Sequence, residues 1–424
     1  MEKLTITNFL SIHFAEIEVR RINLWIGPQA SGKSIIAKLL YFFKKEIGRE
    51  FKETIRAGQG KREFKLSLAA KFEAIFPRAY WESQALCIHY TCGELSITIE
   101  RKRANGRAGL SFNCSDWLYR LQSNLKKRHQ LSLEEAKKPT SGEKFQQHYI
   151  SFGFDAFIGT YIHKLGCSEN FEDQIFIPAS RTFFATLQKN IFSFLASEIN
   201  IDYFLKEFGS IYERTKLPRS GSFRLNLNVQ RDIEKLMESI IAGRYAHEKE
   251  QDWIISESRK INLANASSGQ QESLPMLLVL SDLPFIRGEK TGFFIEEPEA
   301  HLFPVSQQAF ISLLALIANE TKHQFFITTH SPYLLTALNN CIIAHATYEA
   351  TDEAGKEKVL ALMPRNQHIA FTDVAAWTVT DKGTVESILD EELQIIGASV
   401  LDGVSQHFET VTNRLLDIRY GETS

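Results

Sequence analysis

One short stretch constrains the fold of this 424-residue chain more than any other. It is Gly27-Pro28-Gln29-Ala30-Ser31-Gly32-Lys33-Ser34, and it matches the pattern G-x-x-x-x-G-K-S/T at every fixed position. An apolar run at 22–26 precedes it and a helical pattern at 35–40 follows it. A strand, a glycine loop and a helix in this order form a cradle for phosphates, because the loop N–H groups and the helix N-terminus attract anions.

Each residue of this loop has an expected role. Residues 27–34 surround the phosphates of a nucleotide, Lys33 reaches the β- and γ-phosphates, and the Ser34 hydroxyl ligates Mg²⁺. The sequence therefore predicts an α/β fold of the P-loop NTPase class. The alternative is a glycine turn that joins a core strand to a core helix and binds nothing.

Composition narrows the classes of function. The 49 basic and 51 acidic side chains nearly cancel, so a contact with nucleic acid or an anionic membrane has to come from a local patch. No apolar run has the length of a membrane span, and the first residues alternate like a strand rather than a signal peptide. The five cysteines do not show the paired spacing of a zinc site. We therefore expect a cytoplasmic protein with reduced thiols.

Polar motifs follow three further predicted strands. The strands and motifs are Gln174–Ile177 with Pro178-Ala179-Ser180-Arg181, Gly292–Ile295 with Glu296-Glu297-Pro298-Glu299, and Gln324–Thr329 with His330-Ser331-Pro332. Because the carboxyl ends of parallel strands meet at one edge of a sheet, where α/β folds bind ligands, we expect these side chains to converge there.

Each of these motifs has an expected part in the chemistry. Glu296 holds the Mg²⁺ shell through water, and Glu297 orients and deprotonates the attacking water. His330 donates a hydrogen bond to the γ-phosphate. Arg181 is expected to contact the ligand; in the alternative, Ser180 caps a helix and Arg181 faces solvent.

A fourth motif lies at the start of a predicted helix. Ser267, Ser268, Gly269 and Gln270 precede the apolar run Leu274–Leu283. Their hydroxyls and amide either cap this helix or bind the γ-phosphate of a nucleotide held by another subunit.

The rest of the chain is predicted in less detail. We divide it into an N-terminal lobe with the phosphate loop (1–56), a β meander with a helical insert (57–170), a second part of the same ATP-binding fold (171–345) and a tail for partners or oligomerisation (346–424). Local patterns predict strands at 64–68, 342–348 and 358–363, and helices near 384–395 and 400–418. Basic clusters at 101–107 and 126–138 form either a solvated face or a phosphate-binding patch.

Together the motifs resemble those of ABC-type ATPases of the SMC, RecF and OLD-like branch, which includes stand-alone ATPases of anti-phage systems such as PARIS and Septu. The matching segments are Leu4–Phe9 (opening strand), 27–34 (Walker A), Ser267–Gln271 (signature), Glu296–Leu302 (Walker B and D-loop) and Thr329–Pro332 (switch histidine), with 178–181 near the Q-loop position. Two departures are Leu10, where the branch commonly has a basic residue, and Glu296 in place of the commoner Asp.

The resemblance implies a mixed sheet core with an antiparallel β lobe and a helical insert, and ATP with Mg²⁺ as cofactors. It also implies a homodimer or higher homo-oligomer in which ATP lies between Lys33 and Ser34 of one chain and Ser267, Ser268 and Gly269 of the other. OLD nucleases carry a TOPRIM domain after the ATPase, for which 341–424 is too short and has no Asp-x-Asp.

Three functions follow from the resemblance. The favoured one is an ATP-dependent sensor or scaffold that controls a separate effector, a nuclease, in phage defence. The second is a RecF-like repair clamp on duplex DNA. The third is the energy subunit of a membrane transporter, against which the long insert argues.

Overall fold

The computed structural model describes residues 2–104, 107–136, 158, 173–185, 201–216, 226–257, 259–286 and 290–397. The first half contains β1 (Glu2–Phe9), β2 (Ile12–Val19), β3 (Ile22–Ile26), α1 (Lys33–Tyr41), a π-helical turn (Phe42–Glu46), α2 (Ile47–Arg56), α3 (Lys61–Ile75), β4 (Cys87–Cys92), β5 (Leu95–Ala104), β6 (Arg107–Cys114), α4 (Asp116–Ala136) and β7 (Gln174–Ile177).

The second half combines short strands with longer helices. Its elements are α5 (Tyr203–Thr215), α6 (Leu227–Ile241), β8 (Arg244–Glu248), β9 (Gln251–Ser256), β10 (Arg259–Asn262), α7 (Ser268–Ile286), β11 (Gly292–Glu296), α8 (Pro304–Glu320), β12 (Gln324–Thr329), α9 (Pro332–Ala350), α10 (Glu353–Leu362), β13 (Val374–Val379), β14 (Val385–Ser387), β15 (Leu389–Asp390) and β16 (Ile395–Ile396).

The central sheet has the strand order β14-β13-β3-β12-β11-β7. All neighbouring pairs are parallel except β13 with β14. Parallel strands need both faces covered, which explains why β3, β7, β11 and β12 are buried along their whole length. The expected α/β fold with a mixed sheet core is confirmed.

A row of aromatic rings crosses one face of this sheet. Trp377, Trp25, Phe326, Phe294 and Phe176 come from five neighbouring strands, and consecutive rings lie nearly parallel with centroids 5.3, 6.3, 4.2 and 6.0 Å apart. Such offset-stacked pairs add to the free energy gained from burial. The row packs against α1 and the antiparallel sheet, whereas the opposite face packs against α7, α8 and α9.

The antiparallel lobe has the order β2-β1-β4-β5-β6. It is tied to the end of α1 by a buried ion pair, in which Lys44 Nζ lies 2.9 Å from Glu2 Oε2. The Tyr90 hydroxyl donates to the same carboxylate at 2.9 Å. A buried pair of this kind is stable only when its remaining polar atoms find partners, which Tyr90 supplies here.

The predicted strand at 64–68 is wrong, because these residues lie inside α3. The alternation of Phe64, Leu66 and Leu68 resembled a strand, but Phe64, Leu68 and Phe72 also have helical spacing. Those three side chains are buried while Leu66 is exposed. The structure therefore selects the helical period over the period of two.

The local predictions for the C-terminal part are also wrong. Residues 342–348 belong to α9, because Leu334, Leu338, Cys341 and Ile342 form one buried helical stripe. Residues 358–362 belong to α10, in which no side chain is buried. The predicted helix at 384–395 contains β14 and β15, which extend from a tight turn at Thr380–Gly383. The predicted helix at 400–418 lies outside the described residues.

The segment after 345 contributes directly to the central sheet. β13 pairs in parallel with β3, the strand that leads into the phosphate loop, from Val374 opposite Ile22 to Thr378 opposite Ile26. The boundary predicted at 345 falls within α9. Among the described residues, no helix combines the length and apolar character needed to cross a membrane.

We expect Trp377→Ala to lower the free energy of unfolding by about 3–5 kcal/mol, because it removes a buried ring stacked on Trp25. Urea unfolding followed by circular dichroism measures this change. The control is Leu362→Ala, where an 89% exposed side chain is removed and the expected change is within about 0.5 kcal/mol. A loss below about 1 kcal/mol for Trp377→Ala would contradict the assignment of β13 to the core.

Candidate functional site

The polar motifs converge at one edge of the central sheet. β3, β12, β11 and β7 are parallel neighbours, with Ile26 opposite Thr329, Thr328 opposite Glu296, and Ile295 opposite Ile177. The segments that follow these strands therefore begin side by side. This edge is where α/β folds place ligand sites.

The phosphate loop turns tightly from β3 into α1. A Cβ atom added to Gly27, whose φ is +157°, would lie 2.5 Å from the Val379 carbonyl oxygen, so only glycine fits against β13. Pro28, Gln29 and Ala30 are exposed, whereas Ser31, Gly32 and Lys33 are buried. The loop therefore presents its first half to solvent and anchors its second half in the core.

Lys33 lies within the loop that it is expected to serve. Its ammonium donates to the carbonyl oxygens of Gly27 at 2.8 Å and Pro28 at 2.5 Å. Burial lowers the pKa of this ammonium, and the carboxylates of Glu297 and Glu299 act in the opposite direction. Lys33 is thus electrostatically linked to the carboxylates after β11, although they are far away along the chain.

Glu296, at the end of β11, is a buried carboxylate with one free oxygen. Its Oε2 accepts a long hydrogen bond of 3.4 Å from the Ala179 N–H, while Oε1 is buried without a hydrogen-bond partner among the described residues. Burial raises the pKa of this carboxyl, against the effects of Lys38 and the Ser34 hydroxyl. A carboxylate and a hydroxyl near the phosphate loop are the oxygen groups that Mg²⁺ uses beside nucleotide phosphates, so the residues fit this ion.

Glu297 has a backbone conformation that is rare for its residue type. Its φ is +43°, in the left-handed region, and its N–H donates to the Thr328 carbonyl at 2.9 Å. Its side chain is 35% exposed, so it is accessible to a water molecule. Strained backbone of this kind costs about 1–3 kcal/mol and is concentrated at functional sites.

Glu299 connects the carboxylate segment to the histidine. Its Oε1 accepts from the Thr329 hydroxyl at 2.6 Å and from the His330 N–H at 2.8 Å, and it lies 3.3 Å from His330 Nδ1. His330 Nδ1 also lies 4.0 Å from Glu297 Oε1. Glu297, Glu299 and His330 therefore form one cluster, and the charges of both carboxylates act on Lys33.

The Ser267–Gln270 motif caps α7 in the isolated chain. The Gln270 N–H donates to Ser267 Oγ at 3.4 Å, and Gln270 Oε1 accepts from the Ser267 N–H at 3.2 Å, which is a reciprocal capping box. A Cβ atom on Gly269 would lie 2.6 Å from the His301 carbonyl oxygen, so the helix start packs against the D-loop. Ser267 and Ser268 are exposed beside that contact.

Arg181 is buried, which excludes the alternative that it faces solvent. It is 0% exposed, and its N–H groups all have acceptors in its own chain: the carbonyls of Pro178, Glu296, Glu297 and Glu272, and the Glu272 carboxylate. The contact of Arg181 with a nucleotide stays a prediction, and in this chain the guanidinium is bonded to backbone carbonyls beside the site.

Sequence reasoning missed two functional candidates, Glu299 and Glu272. A sequence signal was present for each: Glu299 is a third carboxylate after a buried strand, and Glu272 directly follows the Ser267–Gln271 motif near the start of α7. Of the basic clusters, Lys126–Arg128 lies on α4. Lys137, Lys138 and the side chains of 102–108 lie outside the described residues.

Several solved structures are similar to the chain at low identity. The SMC head domain from Thermotoga maritima is 14% identical, with 79% of this chain and 90% of that chain covered and a TM-score of 0.34. The SMC head bound to the C-winged helix domain of ScpA is 13% identical, with 92% of this chain and 98% of that chain covered and a TM-score of 0.38. The recombination mediator protein RecF in the RecFOR pathway is 12% identical, with 91% of this chain and 97% of that chain covered and a TM-score of 0.31.

The sequence itself matches a family. No protein of curated function matches it, but residues 1–335 match the AAA ATPase domain. This match spans most of the chain and includes the phosphate loop, the carboxylates after β11 and His330. The protein therefore belongs to the AAA ATPase domain family and is an ATP-binding, ATP-hydrolysing P-loop ATPase.

Proposed function

We propose that this ATPase is a switch whose two copies close around ATP and open after hydrolysis, and that this cycle controls a separate effector. The observation that carries the proposal is the contact between Gly269 and the D-loop carbonyl of His301. It places the exposed Ser267 and Ser268 beside the D-loop, so that both elements form one surface. The start of α7 is an anion-attracting helix end, and a second copy would bring it a γ-phosphate.

Each side chain at the sheet edge has its own role in ATP hydrolysis. Lys33 and the loop N–H groups bind the phosphates. Glu297 accepts a proton from the water whose oxygen attacks the γ-phosphorus, and the bond between this phosphorus and the β,γ-bridging oxygen breaks to release ADP. His330 donates a hydrogen bond to a γ-phosphate oxygen, where negative charge must be stabilised. Glu299 orients the histidine for that donation.

Ser34 and Glu296 are the residues that would hold Mg²⁺. When bound there, the ion would neutralise part of the phosphate charge. The unpartnered Oε1 of Glu296 supports this assignment, because a buried carboxylate oxygen without a donor is costly unless a ligand completes its surroundings. Water molecules bound to such an ion can also donate hydrogen bonds to the Glu296 carboxylate.

The effector is proposed from the resemblance of the motifs to anti-phage ATPases. In this proposal the protein acts in the cytoplasm as a sensor or scaffold in phage defence, and its effector is a nuclease. A RecF-like clamp on DNA is the second candidate, favoured only by the exposed Lys127 and Arg128 on α4.

We expect Lys33→Ala to abolish nucleotide binding, because it removes the buried cation of the phosphate loop. Glu297→Gln should retain ATP binding and trap the dimer, because the amide cannot accept the proton from water. Binding of a fluorescent ATP analogue and gel filtration with ATP measure the two effects. An elution profile of Glu297→Gln that ATP does not change counts against the closed dimer.

Glu299→Ala should reduce turnover by about 10-fold or more, because His330 loses its orienting acceptor and the buried Thr329 hydroxyl loses the acceptor of its proton. The same change should lower the free energy of unfolding by about 1–3 kcal/mol. Glu299→Gln is the matched control, since its amide oxygen can still accept from both groups. Equal turnover in Glu299→Ala and the wild type would remove Glu299 from the mechanism.

The effector proposal predicts an ATP-dependent partner. Glu297→Gln purified with ATP from its native host should retain a second protein that Lys33→Ala does not retain, because only the first variant forms the closed state. Mass spectrometry of the two purified samples identifies it. Recovery of duplex DNA in place of a protein, released by raised salt, would favour the clamp instead.

A further inference from the structure

Arg181 uses its whole guanidinium on its own chain. Nε donates to the Glu272 carbonyl at 2.9 Å, one terminal nitrogen donates to the carbonyls of Pro178 and Glu296 at 2.8 Å each, and the other donates to the Glu297 carbonyl at 3.1 Å. This second nitrogen also lies 3.4 Å from Glu272 Oε1. A planar fork with five N–H groups suits this task, and a lysine cannot reproduce it.

These bonds hold the backbone that carries the catalytic carboxylate. The two carbonyls after β11 belong to Glu296 and Glu297, at the point where φ reaches +43°. A left-handed residue persists only where its surroundings fix it. Arg181 donates hydrogen bonds to the peptide groups on each side of Glu297, and so it determines where the Glu297 side chain points.

The other half of the contact lies on α7. The Glu272 carboxylate accepts from the N–H groups of Arg181 at 2.9 Å and Thr182 at 2.8 Å. Glu272 is three residues after Gly269, in the first turns of the helix whose exposed start carries Ser267 and Ser268. Because Glu272 and Arg181 are both buried, a shift of this helix end displaces packed protein groups rather than water.

We propose that Arg181 is a positioning residue that, through Glu272, couples the start of α7 to the orientation of the catalytic Glu297. When a second copy brings its γ-phosphate to the start of α7, the helix shifts the Arg181 guanidinium. The guanidinium in turn sets the orientation of the Glu297 carboxylate. The coupling to the partner rests on the proposed closed dimer. The control of Glu297 by Arg181 does not, because it acts within one chain.

The first test is Arg181→Lys, which keeps the buried charge and removes the fork. We expect kcat to fall by about 10-fold or more, since a displacement of about 1 Å at a reacting group costs roughly 100-fold. The dissociation constant for ATP should stay within about threefold, because the phosphate loop is untouched. A folded variant with wild-type kcat, or with ATP binding weakened as much as kcat, would overturn the proposal.

The second variant, Glu272→Gln, decides the matter if Arg181→Lys does not fold. This change keeps the Glu272 backbone carbonyl, which accepts from Arg181 Nε. It replaces one carboxylate oxygen by an NH₂ group, which then faces a backbone N–H and cannot accept from it. We expect a normal ATP-induced dimer in light scattering but a kcat lowered by about 10-fold. A dimer with wild-type kcat would exclude the coupling.

A matched control separates positioning from general destabilisation. Lys44→Met breaks another buried ion pair, with Glu2, remote from the sheet edge. It should lower the melting temperature and leave kcat within about twofold; a loss of kcat as large as in Arg181→Lys would overturn the proposal. If the wild type does not dimerise with ATP, the proposed switch fails, and the kcat of Arg181→Lys still tests its control of Glu297.

Discussion

Parallel strand pairing is the constraint on which the rest of this structure depends. Because β3, β12, β11 and β7 run in one direction, every segment that follows them begins at the same edge. Residues separated by nearly three hundred positions, such as Lys33 and His330, are brought to this edge without any local signal that joins them. The aromatic row across one face of the sheet adds stacking to this pairing and covers the strands from solvent.

This convergence has an electrostatic cost. Glu272, Glu296, Glu297 and Glu299 all act on the charge of Arg181, and a triphosphate would add further negative charge beside them. Carboxylates brought so close repel one another and lose hydration. A fully buried guanidinium compensates for both effects, because it is a cation and its N–H groups also satisfy the backbone carbonyls. The charge balance at this edge of the sheet thus includes a cation that is buried behind the carboxylates.

The parts that could be predicted from sequence are those with a local pattern. The phosphate loop has fixed spacing, and the strands at 174–177, 292–296 and 324–329 are short apolar runs that end abruptly in polar residues. The contacts of Glu299 with His330 and of Arg181 with Glu272 could not be predicted, because they depend on the order of strands in the sheet. The errors have the same origin: 64–68 fits two periods, and only packing of Phe64, Leu68 and Phe72 selects the helix.

β13 has a consequence for the order in which the molecule is completed. It lies beyond residues 1–335, yet it pairs with β3 along its length, and the Val379 carbonyl closes against Gly27. Until the ribosome has released residue 379, β3 is an edge strand whose free N–H and C=O groups can pair with another chain. The phosphate loop is thus the first functional element to be synthesised, yet its Gly27 lies against a strand that is synthesised after every other parallel strand of the sheet.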